Sequence, residues 1–151
     1  RFDAAGAVDL LVHAGTALPV TAAHDVSPET WRETFSADID GRFHFAAEFA
    51  RRCIADRRGG NILLLMPPVR NDPGYALAAS EWGALDNLVK SLAAEWGRDG
   101  IRINGIASRT VDDFASRSAA EKDALANLAA YLLSDYAAYM TGMISGIDEI
   151  A

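Results

Sequence analysis

Few side chains in this sequence are placed to do chemistry. His13 ends the apolar run VDLLVHAG (Val8–Gly15), where an imidazole could hold a ligand or move a proton. It has no Cys, Asp or Glu partner in sequence, so it reads as a capped or solvent-touching loop histidine. His24 and His44 show no metal-ligand spacing with each other or with His13. Asp38 and Asp40 flank Ile39 in a helical stretch; two apart, they do not share a helix face, and they read as exposed or capping. Cys53 is the only cysteine, which excludes an intrachain disulfide and fits a reducing, cytoplasmic setting. The most unusual local feature is Ser80-Glu81-Trp82, a bulky ring beside an acid within a helix.

The elements that must position these residues follow from periodicity. VDLLVHAG, GGNILLLM (Gly59–Met66), IRINGIA (Ile101–Ala107) and the Gly-punctuated MTGMISGID (Met140–Asp148) read as strands, the first two continuously apolar and buried. A helix is expected from Ser27, an N-cap followed by Pro28 and Glu29, through to Arg57. Its apolar residues Trp31, Phe35, Ile39, Phe43, Ala46, Ala50 and Ile54 recur at near-helical spacing, and Gly41 within it points to close packing. Ala76 to Gly97 gives the strongest helix signal, with Leu85, Leu88, Leu92 and Trp96 on one stripe and an Asp86–Lys90 pair. Ala119–Asp135 is a further amphipathic helix, after the polar loop SRTVDDFASRS. Strands alternating with helices predict one α/β domain over residues 1–151: a parallel sheet with helices on both faces, a three-layer Rossmann-like arrangement.

Net charge is −7 and the chain holds two lysines, Lys90 and Lys122, which argues against nucleic acid. The pairs Arg51–Arg52 and Arg57–Arg58 read as a solvated helix end. The opening RFDAAGAVD lacks the apolar core of a signal peptide, and no apolar run approaches the ~20 residues that cross a bilayer.

In this order and spacing the segments resemble the short-chain dehydrogenase/reductase family from Val8 to Asp148. DLLVHAG is similar to the strand ending in Asn-Asn-Ala-Gly, GGNILLLM to the strand carrying the catalytic Ser, and SLAAEWGRDGIRINGIA to the passage from active-site helix to next strand. LLSDYAAYMTGMISGID resembles the closing segment. The resemblance implies the back half of that fold; the front half, with its Gly-rich dinucleotide turn, has no counterpart here. Gly142 and Gly146 have its first interval, but Asp148 stands where a third Gly would fall.

The resemblance also implies positions for chemistry, and different residues occupy them. The family's Tyr falls at Ala78 and its Lys, four residues on, at Trp82; no Tyr-x-x-x-Lys exists in any register. The Ser position is Pro67, the helix Asn position Asp38, and the Pro-Gly pair Ser108–Arg109. Of Asn-Asn-Ala-Gly, Ala14 and Gly15 remain. Packing positions such as Asn104 are kept while chemical ones are not.

The expectation is therefore a chain with no catalytic residues, no bound cofactor and no metal. It would support an active dehydrogenase subunit that supplies NAD or NADP and acts on an alcohol or ketone, such as a hydroxyacyl thioester. Two alternatives stand beside it: a fragment of a longer divergent oxidoreductase, and a binding or regulatory module. Trp82 either fills the cleft of an absent cofactor or anchors a partner. Phe43, Phe45 and Phe49 mark either a doubly packed core helix or an oligomer interface. The two long helices are expected to form that interface, with Phe45, Phe49, Val89 and Trp96 as contributors. The first strand is expected to leave an exposed apolar edge that something must cover.

Overall fold

Ile62, Leu63 and Leu64 form an apolar run that can bury both faces of a strand, and the fold is built around it. The computed structural model describes residues 6–15, 18–68, 72–108 and 118–147. Its strands are β1 (Leu10–His13), β2 (Gly60–Leu65), β3 (Ile101–Ser108) and β4 (Ile144–Ile147), all parallel in the order β1-β2-β3-β4. The helices are α1 (Pro28–Phe35), α2 (Gly41–Ala55), α3 (Ala76–Trp96) and α4 (Ala119–Leu133). The α/β class and strand–helix alternation are as the sequence predicts. Arg109, the loop through residue 117 and Asp148 lie outside the described residues.

β2 alternates its side chains between two cores. Ile62 and Leu64 join Ile101 and Ile103 under α2 and α3, packed against Phe49, Cys53, Leu85, Val89 and Trp96. Leu63 joins Ile106 under α4, against Leu125 and Leu132. Burying such side chains contributes about 1.5–3 kcal/mol each, enough to fix the layer order.

β1 is not the buried strand that its composition suggests. Parallel register pairs Leu11 with Ile62 and Val12 with Leu63, so Leu11 faces the α2/α3 core and Val12 faces the α4 side. α4 packs chiefly over β2, and Leu10 and Val12 on β1 remain 49% and 52% exposed. Among the described residues no strand pairs with the outer edge of β1. The expected bare apolar edge is present, and no described segment covers it.

The helix from Ser27 starts as predicted: the Ser27 Oγ accepts the Thr30 N–H at 3.0 Å, with Pro28 next. It is not regular, however. Ser36–Asp40 forms a π turn between α1 and α2. Gly41 follows it with open space at its Cα, so the expected close packing there is absent. The wider turn rotates what comes after it, and the buried face becomes Asp38, Arg42, Ala46, Phe49, Ala50 and Cys53. Trp31, Phe43 and Ile54, expected on the core stripe, are exposed.

Two arginines fasten the fold. Arg102 donates to the carbonyls of Leu132 and Ala137 through Nη1 and to that of Ser134 through Nη2, each at 2.9 Å, and so holds the end of α4 to β3. Arg58 is a tie rather than a solvated helix end: it donates to the Val8 carbonyl at 2.6 Å and meets Asp9 at 3.1 Å. Arg51 and Arg52 remain at the surface, both paired with Glu48. Asn104 bridges β3 to the turn before β4, donating to the Met140 carbonyl and accepting from the Met143 N–H. No described helix is long and apolar enough to cross a membrane.

Candidate functional site

In an open parallel sheet, ligands bind outside the carboxyl ends of the strands. Here those ends are Gly15 after β1, Met66 and Pro67 after β2, and Ala107 near the end of β3. The first half of α3 and the π turn bring their side chains to this region.

The centre of it is a buried polar cluster. Asp38 and Arg42, each 1% exposed, form an i,i+4 ion pair with Nε to Oδ2 at 2.8 Å. Arg42 Nη1 also donates to the Leu65 carbonyl at 2.7 Å, tying α2 to the end of β2. The guanidinium lies against Gly15, whose positive φ of 80° turns the chain after β1; a Cβ there would run into it and approach Asp38 Oδ1. His13 Nδ1 accepts the Gly15 N–H at 3.1 Å. Burial, then the Arg42 charge, lower the His13 pKa against the opposing pull of Asp38.

Glu81 completes the cluster from α3. It is 0% exposed, and neither carboxylate oxygen has a hydrogen-bond partner. Burial above all, then the charge of Asp38, push its pKa up to about 7, with Arg42 pulling the other way. A carboxyl near neutrality is the kind of group that can give or take a proton.

Asp38 therefore departs from the exposed or capping role its sequence implies. The π turn swings it inward while Asp40 stays exposed. Pro67 and Ala78 are both buried, and neither carries an exchangeable side-chain proton. Trp82 is set apart from the cluster. It lines a cleft of about 490 Å³ with Asp86, Lys90, Ala107, Met143 and Ile144, and it packs, partly buried, against the α2/α3 core. Lys90 in this cleft is paired with Asp86 at 2.7 Å.

Three of the four expected interface residues are interior. Phe49, Val89 and Trp96 belong to the core against β2 and β3, because α2 and α3 spend these faces on the sheet of their own chain. Phe45 lies at the surface, 49% exposed, its ring centroid 6.0 Å from that of His13. Arg42 and Glu81 are the residues sequence reasoning missed. The spacing Leu77–Glu81–Leu85 placed Glu81 on the buried stripe of α3, and Arg42 falls four residues after Asp38 and four before Ala46.

Comparison with known proteins places the fold in a family. A family model described as "Enoyl-(Acyl carrier protein) reductase" matches residues 2–149. The chain belongs to this family, a branch of the short-chain dehydrogenases/reductases. Among curated proteins it is 30% identical to a 3alpha-hydroxysteroid dehydrogenase of Mediterraneibacter gnavus and 26% identical to galactitol 2-dehydrogenase of Cereibacter sphaeroides; each match covers 97% of this chain and 66% of the relative. A Caenorhabditis elegans oxidoreductase without an assigned reaction is 27% identical over 93% of this chain and 52% of its own. Among solved structures, acetoin dehydrogenase from Salmonella typhimurium superposes with a TM-score of 0.86 at 26% identity, over 97% of this chain and 66% of that one. The chain thus spans about half to two thirds of the length of these relatives.

Proposed function

We propose that this chain is a non-catalytic short-chain dehydrogenase/reductase subunit that supports an active NAD(P)-dependent partner in a hetero-oligomer. The observation that carries the reading is the set of side chains at the family's chemical positions. Ala78 and Trp82 stand where Tyr and Lys would act, Pro67 stands where Ser would, and Asp38 is committed to a buried pair with Arg42. A hydride transfer between a nicotinamide and an alcohol needs a proton donor–acceptor and a cation near the ribose. Trp82 supplies neither, and the ammonium of Lys90 is already matched by Asp86. These residues do not fit a nicotinamide nucleotide.

The partner would supply the cofactor and the Ser-Tyr-Lys set and would act on an alcohol or ketone. A hydroxyacyl thioester is in keeping with the thioester-borne substrates that the family description names. Contact through the outer faces of α1 and α2 fits the exposure of Trp31, Phe43 and Phe45.

Native mass spectrometry of the protein purified at its natural level, with calorimetric titration of NADH and NADPH into the chain alone, tests the proposal. A mixed assembly with a second dehydrogenase-like chain, and no micromolar cofactor binding by this chain alone, is the expected result. Micromolar binding together with turnover of an alcohol would overturn it. The greater length of the relatives favours one further reading, a region of a longer divergent oxidoreductase; the intact mass of the native polypeptide separates the two.

A further inference from the structure

Buried carboxyl groups are ordinarily paired or hydrogen-bonded, because leaving one bare costs several kcal/mol. Glu81 is neither, although an arginine lies in the same cluster. The reason is geometric. Arg42 spends its Nε on Asp38 at 2.8 Å and its Nη1 on the Leu65 carbonyl at 2.7 Å, and its other terminal nitrogen lies at the Gly15 turn. The positive charge is matched by Asp38 before Glu81 is counted.

The charged groups around Glu81 are few. Asp38 comes from the π turn and Arg42 from α2; His13 at the end of β1 feels both, and burial and the Arg42 charge lower its pKa. β2 brings no titratable side chain, and on α3 itself the next charged residues, Asp86 and Lys90, face the Trp82 cleft. With Glu81 protonated the cluster is neutral overall. With Glu81 ionised it holds a net negative charge in the interior.

We infer that the Glu81 carboxyl is a proton-operated latch on the first half of α3. Neutral, it lets Ala76–Trp82 lie against the Asp38–Arg42 pair. Ionised, it sets a second negative charge beside Asp38 with no donor to receive it, and that half of the helix loosens. The proton is exchanged with solvent. The segment under control carries Ala78 and Trp82, so the latch governs the face where α3 meets the strand ends. The inference rests on the cluster alone and holds whether or not the chain works beside a catalytic partner.

The sign follows from linkage. The folded form holds this proton more tightly than the unfolded chain, whose glutamate titrates near 4.5. The added stability is fully present below 4.5 and is lost as pH rises through about 7.

Carboxyl-carbon NMR of the whole chain labelled at glutamate side chains reads the latch directly. Glu81 is assigned from Glu81→Gln, or by through-bond correlation in the native sequence should that variant fail to fold. A titration midpoint near 7 is expected; a midpoint at 5 or below overturns the inference. Hydrogen exchange, corrected for the intrinsic pH dependence of amide exchange, supplies the second readout. Protection of Ala79–Gly83 is expected to fall about 70-fold between pH 5 and pH 8. In Glu81→Gln the fall should vanish. Equal falls in both proteins, or none in either, would place the pH response elsewhere and sink the proposal.

Discussion

Removing the Asp38 carboxylate should destabilise this protein more than most single substitutions. Asp38 and Arg42 are each 1% exposed and 2.8 Å apart, so water cannot replace the lost partner. Breaking a buried pair by deleting one member costs about 3–5 kcal/mol, because the remaining ion stays desolvated. Arg42 would keep its bond to the Leu65 carbonyl and would have the Glu81 carboxyl of the same cluster as a countercharge, which places Asp38→Ala toward the lower end, about 3 kcal/mol. Domains of this kind are stable by about 5–15 kcal/mol, so the loss is a large fraction of the total. Asp38→Asn, which installs the residue the family resemblance implies, keeps an acceptor oxygen but loses the countercharge; it should cost about 2 kcal/mol. The double variant Asp38→Leu/Arg42→Met removes both charges at similar volume and should lie within about 1 kcal/mol of the native chain. Urea unfolding followed by circular dichroism, with the slope m checked for constancy, measures all three. A cost below 1 kcal/mol for Asp38→Ala, or a double variant as unstable as the single, would refute the buried pair as the organiser of the site.

The triple change Pro67→Ser, Ala78→Tyr, Trp82→Lys is expected to yield no alcohol turnover by this chain, because the residue types return without a positioned nicotinamide; a coupled NADH assay checks it. Arg102→Met should cost about 3 kcal/mol and raise hydrogen exchange across residues 132–140, since three carbonyls lose their charged donor; unchanged exchange there would count against the clamp. Gly59→Ala would set a Cβ 2.6 Å from the Gly100 carbonyl oxygen, where β2 and β3 begin, and should lower thermal stability by about 1–3 kcal/mol, readable by calorimetry. Val12→Lys on the open face of β1 should reduce concentration-dependent light scattering with little change in unfolding free energy; undiminished scattering would show that this edge is not where chains associate.

Much of the architecture is legible in the residues. Asn61 to Leu65 can only be a strand buried on both sides, and Leu85, Leu92 and Trp96 fix the face of α3 that meets it. Two things were hidden by the same periodicity that revealed the rest. A regular 3.6-residue repeat from Trp31 to Ile54 cannot register an extra residue in the middle, so it put Phe43 inside and Asp38 outside, the reverse of what is found. Composition alone could not tell Val12 from Leu63, since both sit in apolar runs; only the reach of α4 decides which is covered. The burial of Phe49, Val89 and Trp96 follows only once the two long helices are set on the sheet beneath them, which helical periodicity alone does not show. Glu81 was readable all along from its place between Leu77 and Leu85.

The π turn at Ser36–Asp40 has a consequence for how this segment tolerates change in length. Each residue of an α-helix advances the spiral by about 100°, so one surplus residue offsets the phase of everything upstream against everything downstream. Pro28–Phe35 and Gly41–Ala55 are in effect two helices sharing an axis but not a clock. Losing one residue between them would bring the two into step without altering either sequence. Because the five residues of the π turn rotate the chain about as far as four residues of α-helix, Trp31 and its stacked neighbour Phe35 would keep close to their present bearing. Removal of Ser36 or Ala37 would thus be absorbed with the Asp38–Arg42 spacing intact, whereas removal of Ile39 or Asp40 would shorten that spacing to three residues and disturb the buried pair.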